Sequence, residues 1–176
     1  MKTFTYALLF FLLLFTACTA PHEKVSVDYT TYVNPFIGTD FTGNTYPGAQ
    51  APFGMVQLSP DNGLPGWDRI SGYFYPDSTI AGFSHTHLSG TGAGDLYDIS
   101  FMPVTLPYKE AEAPLGIHSR FSHDDESATA GYYQVLLKDY NINVELTATE
   151  RCGIQRYTFP EAQAAIFLNL KKAMNW

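Results

Sequence analysis

The stretch from residue 82 to residue 98, GFSHTHLSGTGAGDLYD, concentrates side chains that could do chemistry. His85 and His87 stand two residues apart, so in an extended strand both imidazoles would face the same side. Both could then reach one metal ion, with Asp95 or Asp98 returning from the loop. Alternatively, the histidines hydrogen-bond carbonyl groups of the loop while Asp95 caps backbone N–H groups. We favour this second interpretation, which makes the segment a stiff, hydrogen-bonded loop.

The glycines of this stretch are spaced like those of a nucleotide-binding loop, at Gly90, Gly92 and Gly94. Such a site needs a strand before the loop and a helix N-terminus after it to hold the pyrophosphate. Here the residues that follow, DLYDISFMPV, are strand-like and include Pro103, and no Walker-type Lys-Ser/Thr pair comes after the glycines. The sequence therefore argues against a nucleotide site.

Paired carboxylates could support glycoside hydrolysis, which needs a general acid and a base or nucleophile across the scissile bond. The aspartates between residues 61 and 98 are Asp61, Asp68, Asp77, Asp95 and Asp98. Their spacing selects no pair, so the residues alone do not identify an acid. Trp67, in the loop segment LPGWDR, could stack on a sugar face, although a place in the core would suit it equally.

Length and charge limit the classes of protein to which the chain can belong. Its 176 residues leave room for one domain once a targeting segment is removed, and 45% of them are hydrophobic. That fraction is typical of a folded globular domain rather than a disordered chain. The formal net charge is −7, and the basic residues are scattered. A phosphate backbone would be repelled, so we expect no nucleic-acid partner.

The first twenty residues, MKTFTYALLFFLLLFTACTA, have the features of an export signal. A basic start is followed by an apolar run that is too short to cross a bilayer comfortably. The ending LFTAC resembles a bacterial lipobox and predicts lipidation at Cys18, with residues 1–20 as a lipoprotein signal peptide and 21–32 as a linker. Ordinary cleavage after Ala20 is the alternative. Both predict an exported protein, and the first predicts a periplasmic or cell-surface lipoprotein that a lipid holds at the membrane.

The second cysteine, Cys152, has no disulfide partner in the chain if Cys18 carries lipid. It lies among alternating residues typical of a strand. We therefore expect a small buried side chain at this position rather than a reactive thiol.

Short β-prone runs between turns predict an all-β fold. From residue 33 to residue 107, glycine and proline recur at close intervals, and the runs FGMVQLS, GYFY and DISFMPVTLP fit strands between loops. Four more regular runs follow at 132–138, 142–149, 153–159 and 164–170. They predict a half-buried antiparallel meander, and strands at this spacing favour an antiparallel β-sandwich.

The chain stops a few residues after the last of these runs, with no closing loop or polar tail. Complete domains usually cover an apolar sheet edge. We therefore expect residues 33–176 to be a β-sandwich domain that is incomplete at its C-terminus, and the chain to be a fragment.

Long quoted stretches of the sequence resemble a known enzyme family. They are YVNPFIGTDFTGNTYPGAQAPFGMVQLSPD, SGYFYPDSTIAGFSHTHLSGTGAGDLYDISFMPV and VELTATERCGIQRYTFP. Together they are similar to the N-terminal domain of glycoside hydrolase family 92, bacterial exo-acting α-mannosidases, from about Tyr32 to Trp176. The resemblance implies a two-domain enzyme with an N-terminal β-sandwich, a larger (α/α)6 barrel and an active site in the cleft between them.

The resemblance also implies a calcium-dependent, inverting mechanism on mannose-containing glycans, with a glutamate acid and an aspartate base. Those carboxylates and most calcium ligands belong to the barrel of the family, a C-terminal catalytic domain that is absent from this chain. We therefore assign no catalytic residue and no metal ligand here, and we expect the chain alone to be inactive.

Four residues are carried over as candidate substrate-binding residues at the cleft rim. Trp67 is the candidate for stacking on the sugar beyond the cleaved bond, while Asn44, His85 and His87 lie in loops that would shape the rim. The family often has two glycines at the position of Asp40 and its neighbour Phe41. The alternative to an enzyme fragment is an exported lipoprotein that binds glycans without cleaving them.

Overall fold

A computed structural model describes residues 27–90, 96–108, 116–161 and 163–170. These residues form strands, loops and three short 3₁₀ helices, at Tyr29–Tyr32, Trp67–Arg69 and His123–Asp125. The predicted all-β class is therefore confirmed. None of the helices in this part of the chain has the length and apolar character that crossing a membrane requires. Cys18, the predicted signal peptide and residues 21–26 of the predicted linker lie outside the described residues.

Eleven strands are found within the described ranges. In chain order they are β1 (Ala49–Gln50), β2 (Gln57–Asp61), β3 (Thr79–Ile80), β4 (Gly82–Ser84), β5 (Ser100–Thr105), β6 (Ser119–Arg120), β7 (Glu126–Thr129), β8 (Tyr132–Leu137), β9 (Ile142–Ala148), β10 (Gly153–Thr158) and β11 (Ala164–Asn169). One sheet has the order β1-β2-β4-β5-β11, a second has the order β10-β9-β8-β7, and β3 pairs with β6. Neighbouring strands are antiparallel throughout.

The four-stranded sheet follows the alternation in the sequence. In β9, Ile142, Val144 and Leu146 are buried while the residues between them are half-buried or exposed. Val144 pairs with Val135 of β8, whose pattern also alternates. Because successive strand residues point to opposite faces, this sheet presents one apolar face inward.

The core lies between the two larger sheets, as the predicted sandwich requires. Leu58 of β2 and Phe83 of β4 belong to the same buried cluster as Tyr133 of β8 and Val144 of β9. Each such side chain contributes about 1.5–3 kcal/mol relative to an exposed position. The two sheets thus share one core, and both support the loops at their ends.

Two sequence-based expectations about strands are corrected. The fourth regular run forms β11, but it pairs with β5 across the sandwich rather than continuing the meander beside β10. Ala165 and Phe167 pack against the shared core from there. The run GYFY at 72–75 forms turns instead of a strand, because Gly72 takes a positive φ and the backbone N–H of Tyr75 donates to the carbonyl of Thr39.

The environment of Cys152 also differs from expectation, because the side chain is exposed. Cys152 belongs to the turn between β9 and β10, where its N–H donates to the Thr149 hydroxyl at 3.1 Å and its carbonyl accepts from the Thr149 N–H at 2.8 Å. Cys152 therefore lies in this turn, just before β10 begins at Gly153, rather than within a strand, and its thiol is in solvent.

Candidate functional site

A buried pair of a histidine and an aspartate lies at the centre of the candidate site. His87 follows β4 and Asp61 ends β2, and the distance from His87 Nε2 to Asp61 Oδ1 is 2.9 Å. The exposed fractions of the two side chains are 0% and 3%. The other ring nitrogen, His87 Nδ1, lies 2.7 Å from the carbonyl oxygen of Gln57. Antiparallel pairing of β2 with β4 brings these distant residues together.

Each ring nitrogen of His87 thus faces an oxygen of another residue. The Gln57 carbonyl can only accept, so Nδ1 carries a hydrogen, and one further proton is shared between Nε2 and Asp61. The pair is net neutral wherever that proton resides, which makes its burial tolerable. Hydroxyl groups support the carboxylate, with Ser84 Oγ donating to Oδ1 at 3.1 Å and Ser100 Oγ to Oδ2 at 3.5 Å.

This cluster does not have the geometry of a Ser-His-Asp nucleophile. In a triad the carboxylate orients one ring nitrogen while the other activates the serine. Here Ser84 Oγ and Asp61 lie against the same nitrogen, His87 Nε2, at 3.3 and 2.9 Å. Ser84 is also buried. The cluster therefore positions the loop after β4 rather than attacking a substrate.

His85 lies in a different environment from His87. Its Nδ1 is 3.0 Å from the carbonyl oxygen of Ile99, and its ring meets Phe101 edge-on at 5.7 Å. Gly153 of β10 packs against it so closely that a Cβ there would lie 2.9 Å from the His85 ring. Each histidine hydrogen-bonds a backbone carbonyl, but these carbonyls belong to Ile99 and to Gln57 of β2 rather than to the stretch from residue 82 to residue 98.

Metal binding by this loop has little support in the described residues. Asp98 accepts a hydrogen bond from the Thr86 hydroxyl at 3.2 Å, and Asp95 lies outside the described residues. Within the described ranges, no three His, Cys, Asp or Glu side chains gather where they could hold a metal ion. The described residues therefore show no cluster of charged ligands for a cation in this loop, and no step of a reaction is assigned to calcium in this chain.

Asn44 is buried in the neighbouring loop with an unsatisfied side-chain oxygen. It is 2% exposed and has a φ of 48°. Its Nδ2 donates to the carbonyl of Thr42 at 3.3 Å, while Oδ1 has no hydrogen-bond partner among the residues that the structure describes. Because a buried acceptor left without a donor costs free energy, such groups are unusual in native folds, and a ligand that supplied the donor would remove this cost.

The loop of Asn44 is joined directly to the loop after β4. The backbone N–H of Gly90 donates to the carbonyl of Asn44 at 2.7 Å. Ser71 Oγ donates to the carbonyl of Thr45 at 3.0 Å, which ties in the segment that follows Trp67. The structure therefore brings Asn44, His87 and the Trp67 segment into one network, and His85 adjoins it because its carbonyl accepts from the N–H of Gln57 at 2.9 Å.

At Gly72 the backbone lies so close to three side chains of this network that no larger residue fits. Its φ is +88°, and a Cβ there would lie 2.7 Å from the Tyr97 ring and 2.9 Å from both Asp61 Oδ1 and the His87 ring. The Tyr97 hydroxyl donates to the carbonyl of Ile70. Burial, together with the nearby charge of Asp61, raises the pKa of Tyr97. The hydroxyl therefore stays protonated and keeps donating.

Trp67 is exposed, so a place in the core is excluded for it. Its relative exposure is 54%, and it begins the short 3₁₀ helix that Gly66 precedes with a φ of 146°. Arg69, two residues later, donates from Nε to Asp77 Oδ2 at 2.6 Å, and its guanidinium lies 4.7 Å from the centre of the Phe74 ring. This anchoring holds the helix while leaving the indole on the surface.

A second buried network, around Glu126, was not predicted from the sequence. Glu126, whose side chain is 1% exposed, accepts from the hydroxyls of Tyr73 at 2.9 Å and Tyr133 at 2.6 Å, and His123 Nδ1 lies 2.7 Å away. Burial first, and then the charge of Glu126, raise the pKa of both tyrosines. The spacing of His123 and Glu126 in SHDDE was the one feature of the sequence that could have indicated this network.

Comparison with known proteins agrees with the sandwich and its loops. Residues 32–176 match the model of the glycosyl hydrolase family 92 N-terminal domain. A family GH92 α-mannosidase from Bacteroides thetaiotaomicron, solved with mannoimidazole, is 46% identical with a TM-score of 0.77, over 82% of this chain and 20% of that chain.

Two further relatives are more distant. The family GH92 inverting mannosidase from Bacteroides thetaiotaomicron VPI-5482 is 34% identical with a TM-score of 0.63, over 79% of this chain and 19% of that one. An uncharacterized secreted glycosidase from Arthroderma benhamiae is 28% identical over 144 residues, which are 78% of this chain and 18% of the relative.

The chain thus spans about a fifth of the length of these relatives. The match nonetheless extends over nearly all of the described fold, from the residue before Val33 to the last described strand. On this basis the chain belongs to glycosyl hydrolase family 92, in which it corresponds to the N-terminal domain.

Proposed function

We propose that this chain supplies the N-terminal domain of a calcium-dependent, inverting exo-α-mannosidase that acts on α-mannosides such as N-glycan or mannan side chains. The observation that carries this proposal is the 46% identity to a family GH92 α-mannosidase over 82% of the chain. A second relative, 34% identical, is an inverting mannosidase. Because this chain covers only about a fifth of each of these relatives, the catalytic carboxylates and most calcium ligands would lie in a C-terminal (α/α)6 barrel.

The role of this domain in that enzyme is to supply loops to the substrate cleft. Asn44 Oδ1 is a buried acceptor without a donor, which suits a sugar hydroxyl. Trp67 offers a flat exposed ring for the sugar beyond the cleaved bond. His87 and His85 act by holding the loop after β4 in place. None of the four would transfer a proton to the glycosidic bond.

A chimera tests this function directly. The chain would be joined to the barrel-containing remainder of the 46% identical α-mannosidase, and hydrolysis of an aryl α-mannoside would be measured. We expect the chimera to be active, to lose activity with a chelator and to regain it with calcium, and to release β-mannose first. The remainder without this domain is the control. Hydrolysis by the present chain alone, or a folded chimera without activity, would contradict the proposal.

The same chimera tests the role of Trp67. Changing Trp67→Ala should raise KM for a mannose disaccharide by about tenfold, since stacking of one ring is worth about 1–2 kcal/mol. Hydrolysis of an aryl mannoside should change less, because its leaving group does not require a sugar-binding surface. Equal losses on both substrates would show that Trp67 does not contact the second sugar.

The alternative function, glycan binding without cleavage, is favoured by the exposed Trp67 alone. It differs from the first proposal in one measurable respect. A free-standing binding protein needs no barrel, so the mature chain should bind mannotriose through Trp67 with useful affinity. Absence of heat in a calorimetric titration of the folded chain would exclude it.

Export and membrane anchoring complete the proposal. The relative from Arthroderma benhamiae is a secreted glycosidase, which supports export of this chain. The sequence LFTAC adds lipidation at Cys18. If lipid holds the protein at the membrane, Cys18→Ser should move it from the detergent phase to the aqueous phase in a Triton X-114 partition. Partition into the aqueous phase before the change would refute the anchor.

A further inference from the structure

A pocket of about 300 Å³ opens beside the second buried network. Its lining includes Asn34, Phe36 and Asp40 from the loop that leads to Asn44, together with Tyr75, His123 and Glu126. None of Trp67, Asn44, His85 and His87 lines it. Ligand pockets range from about 300 to 1,000 Å³, so this one has room for a single small ring.

The aromatic wall of the pocket is rigid. The rings of Tyr75 and His123 stack with their centroids 3.9 Å apart and their planes at 5°. Phe36 meets Tyr75 edge-on at 6.0 Å. His123 is fixed at both nitrogens, with Nδ1 2.7 Å from Glu126 Oε2 and Nε2 2.7 Å from the carbonyl oxygen of Tyr75. A wall with locked rotamers loses little entropy when a ligand binds.

The charge of this wall is balanced. Both ring nitrogens of His123 face oxygens that accept, so one proton is shared between the imidazole and the carboxyl of Glu126. The pair is neutral overall in either location of the proton. Glu126 also accepts hydrogen bonds from the hydroxyls of Tyr73 and Tyr133. Neither residue of the pair is therefore free to bind a charged ligand.

Two polar side chains of the pocket, those of Asp40 and Asn34, keep hydrogen-bonding groups that the described residues do not use. Asp40 Oδ1 accepts from the N–H of Phe41 at 2.6 Å, and Asn34 Oδ1 accepts from the N–H of Phe36 at 3.0 Å. The second carboxylate oxygen of Asp40 and the amide hydrogens of Asn34 are not used in these contacts. Within the described part of the chain, no basic side chain forms an ion pair with Asp40.

We propose that this pocket binds one ring of a neutral monosaccharide, a pyranose with adjacent hydroxyl groups. A sugar hydroxyl donates to Asp40 and a neighbouring sugar oxygen accepts from Asn34, while an apolar C–H face packs against Phe36 and Tyr75. An anionic ligand is repelled by Asp40. The site concerns binding by this chain itself, so it does not depend on the mannosidase activity proposed above.

The test is a titration of the ¹⁵N-labelled mature chain with methyl α-mannoside, followed by amide chemical shifts and by saturation transfer to the ligand. We expect millimolar binding with shifts at Asn34, Asp40, Tyr75 and His123. Asp40→Asn keeps the acceptor for Phe41 and should weaken binding by about tenfold, the effect of one charge-assisted hydrogen bond. Glu161→Gln removes an equal charge at an exposed site and should leave the affinity unchanged.

A second variant keeps the result clear if the first one distorts the loop. Asn34→Asp retains the acceptor for Phe36 and removes the amide donor, so it should also lower the affinity. The inference is wrong if the folded chain does not bind the mannoside, if its shifts fall only near Trp67 or Asn44, or if both variants bind as well as the unchanged chain. Binding of tetramethylammonium at the pocket in place of the sugar would also overturn it.

Discussion

At the scale of single residues, His85 and His87 show how two identical side chains can have different tasks. Both hydrogen-bond a backbone carbonyl, but only His87 is also buried against a carboxylate. The separation by two residues suggested equal environments on one face of a strand. Instead β4 ends at Ser84, so the alternation that the sequence suggested does not extend through both histidines.

Replacing His87 should therefore be much more costly than replacing His85. His87→Ala leaves the Asp61 carboxylate buried without its histidine, and breaking such a pair costs about 3–5 kcal/mol. His85→Ala removes one hydrogen bond at a half-buried site and costs about 1 kcal/mol. Urea unfolding measures both. Equal losses would mean that the buried pair contributes no more than an ordinary hydrogen bond.

The same comparison separates positioning from chemistry. In the chimera with the barrel, His85→Ala should reduce stability or substrate affinity far more than it reduces turnover of bound substrate. Loss of turnover with unchanged folding and binding would assign His85 a direct part in the reaction.

Buried tyrosines make the stability of the domain depend on alkaline pH. Burial raises the pKa of Tyr46 from 10.0 to about 12. The folded chain therefore keeps this proton at pH values where the unfolded chain has released it. The contribution is complete below about pH 10 and is lost as the pH rises toward 12. Circular dichroism should show falling thermal stability in this window, and Tyr46→Phe should lessen the fall; an unchanged pH profile in that variant would contradict the assignment.

At the scale of elements, strands with strict alternation were predictable and segments ruled by local turns were not. The run INVELTAT gives β9 because its apolar residues recur every second position. GYFY has β-forming residues, but Gly72 takes a left-handed φ and contacts Asp61 and His87. After β10 the chain crosses to the other sheet, where β11 pairs with β5. The local pattern of apolar residues cannot predict such a pairing, because it depends on contacts between distant residues.

Gly72 gives a sharp test of this close packing. In Gly72→Ala the new methyl group meets Tyr97, Asp61 and His87 at under 3 Å, in a backbone conformation unfavourable to alanine. We expect a loss of about 2–5 kcal/mol, which combines about 1–2 for the left-handed conformation and about 1–3 for overpacking. Gly131→Ala is the control, because its φ is +77° with nothing within 4 Å, and it should cost only the conformational part. Similar losses in both would exclude steric crowding at Gly72.

At the scale of the whole molecule, the candidate site is assembled from chain segments that are far apart. Asp61 and His87 meet through β2 and β4, and Asn44 is joined to Gly90 by one backbone hydrogen bond. The sequence indicated which residue types could contribute, and family resemblance indicated which loops. The sequence could not indicate that His87 would be buried, or that Asn44 would keep an unpartnered oxygen, because burial is decided by the packing of both sheets.

Within the described residues, the outer edge of the five-stranded sheet exposes apolar side chains. Ile166 and Leu168 of β11 are 51% and 50% exposed, while Ala165 and Phe167 face the core. Within the described residues β11 pairs on one side only, with β5, and an apolar edge of this kind favours association between chains.

Ile166→Lys should therefore reduce concentration-dependent association in analytical ultracentrifugation without lowering stability, because a charge at the edge opposes pairing. Thr147→Lys adds the same charge on β9, which is flanked by β8 and β10, and should leave association unchanged. If both changes reduce association equally, net charge rather than the β11 edge controls it.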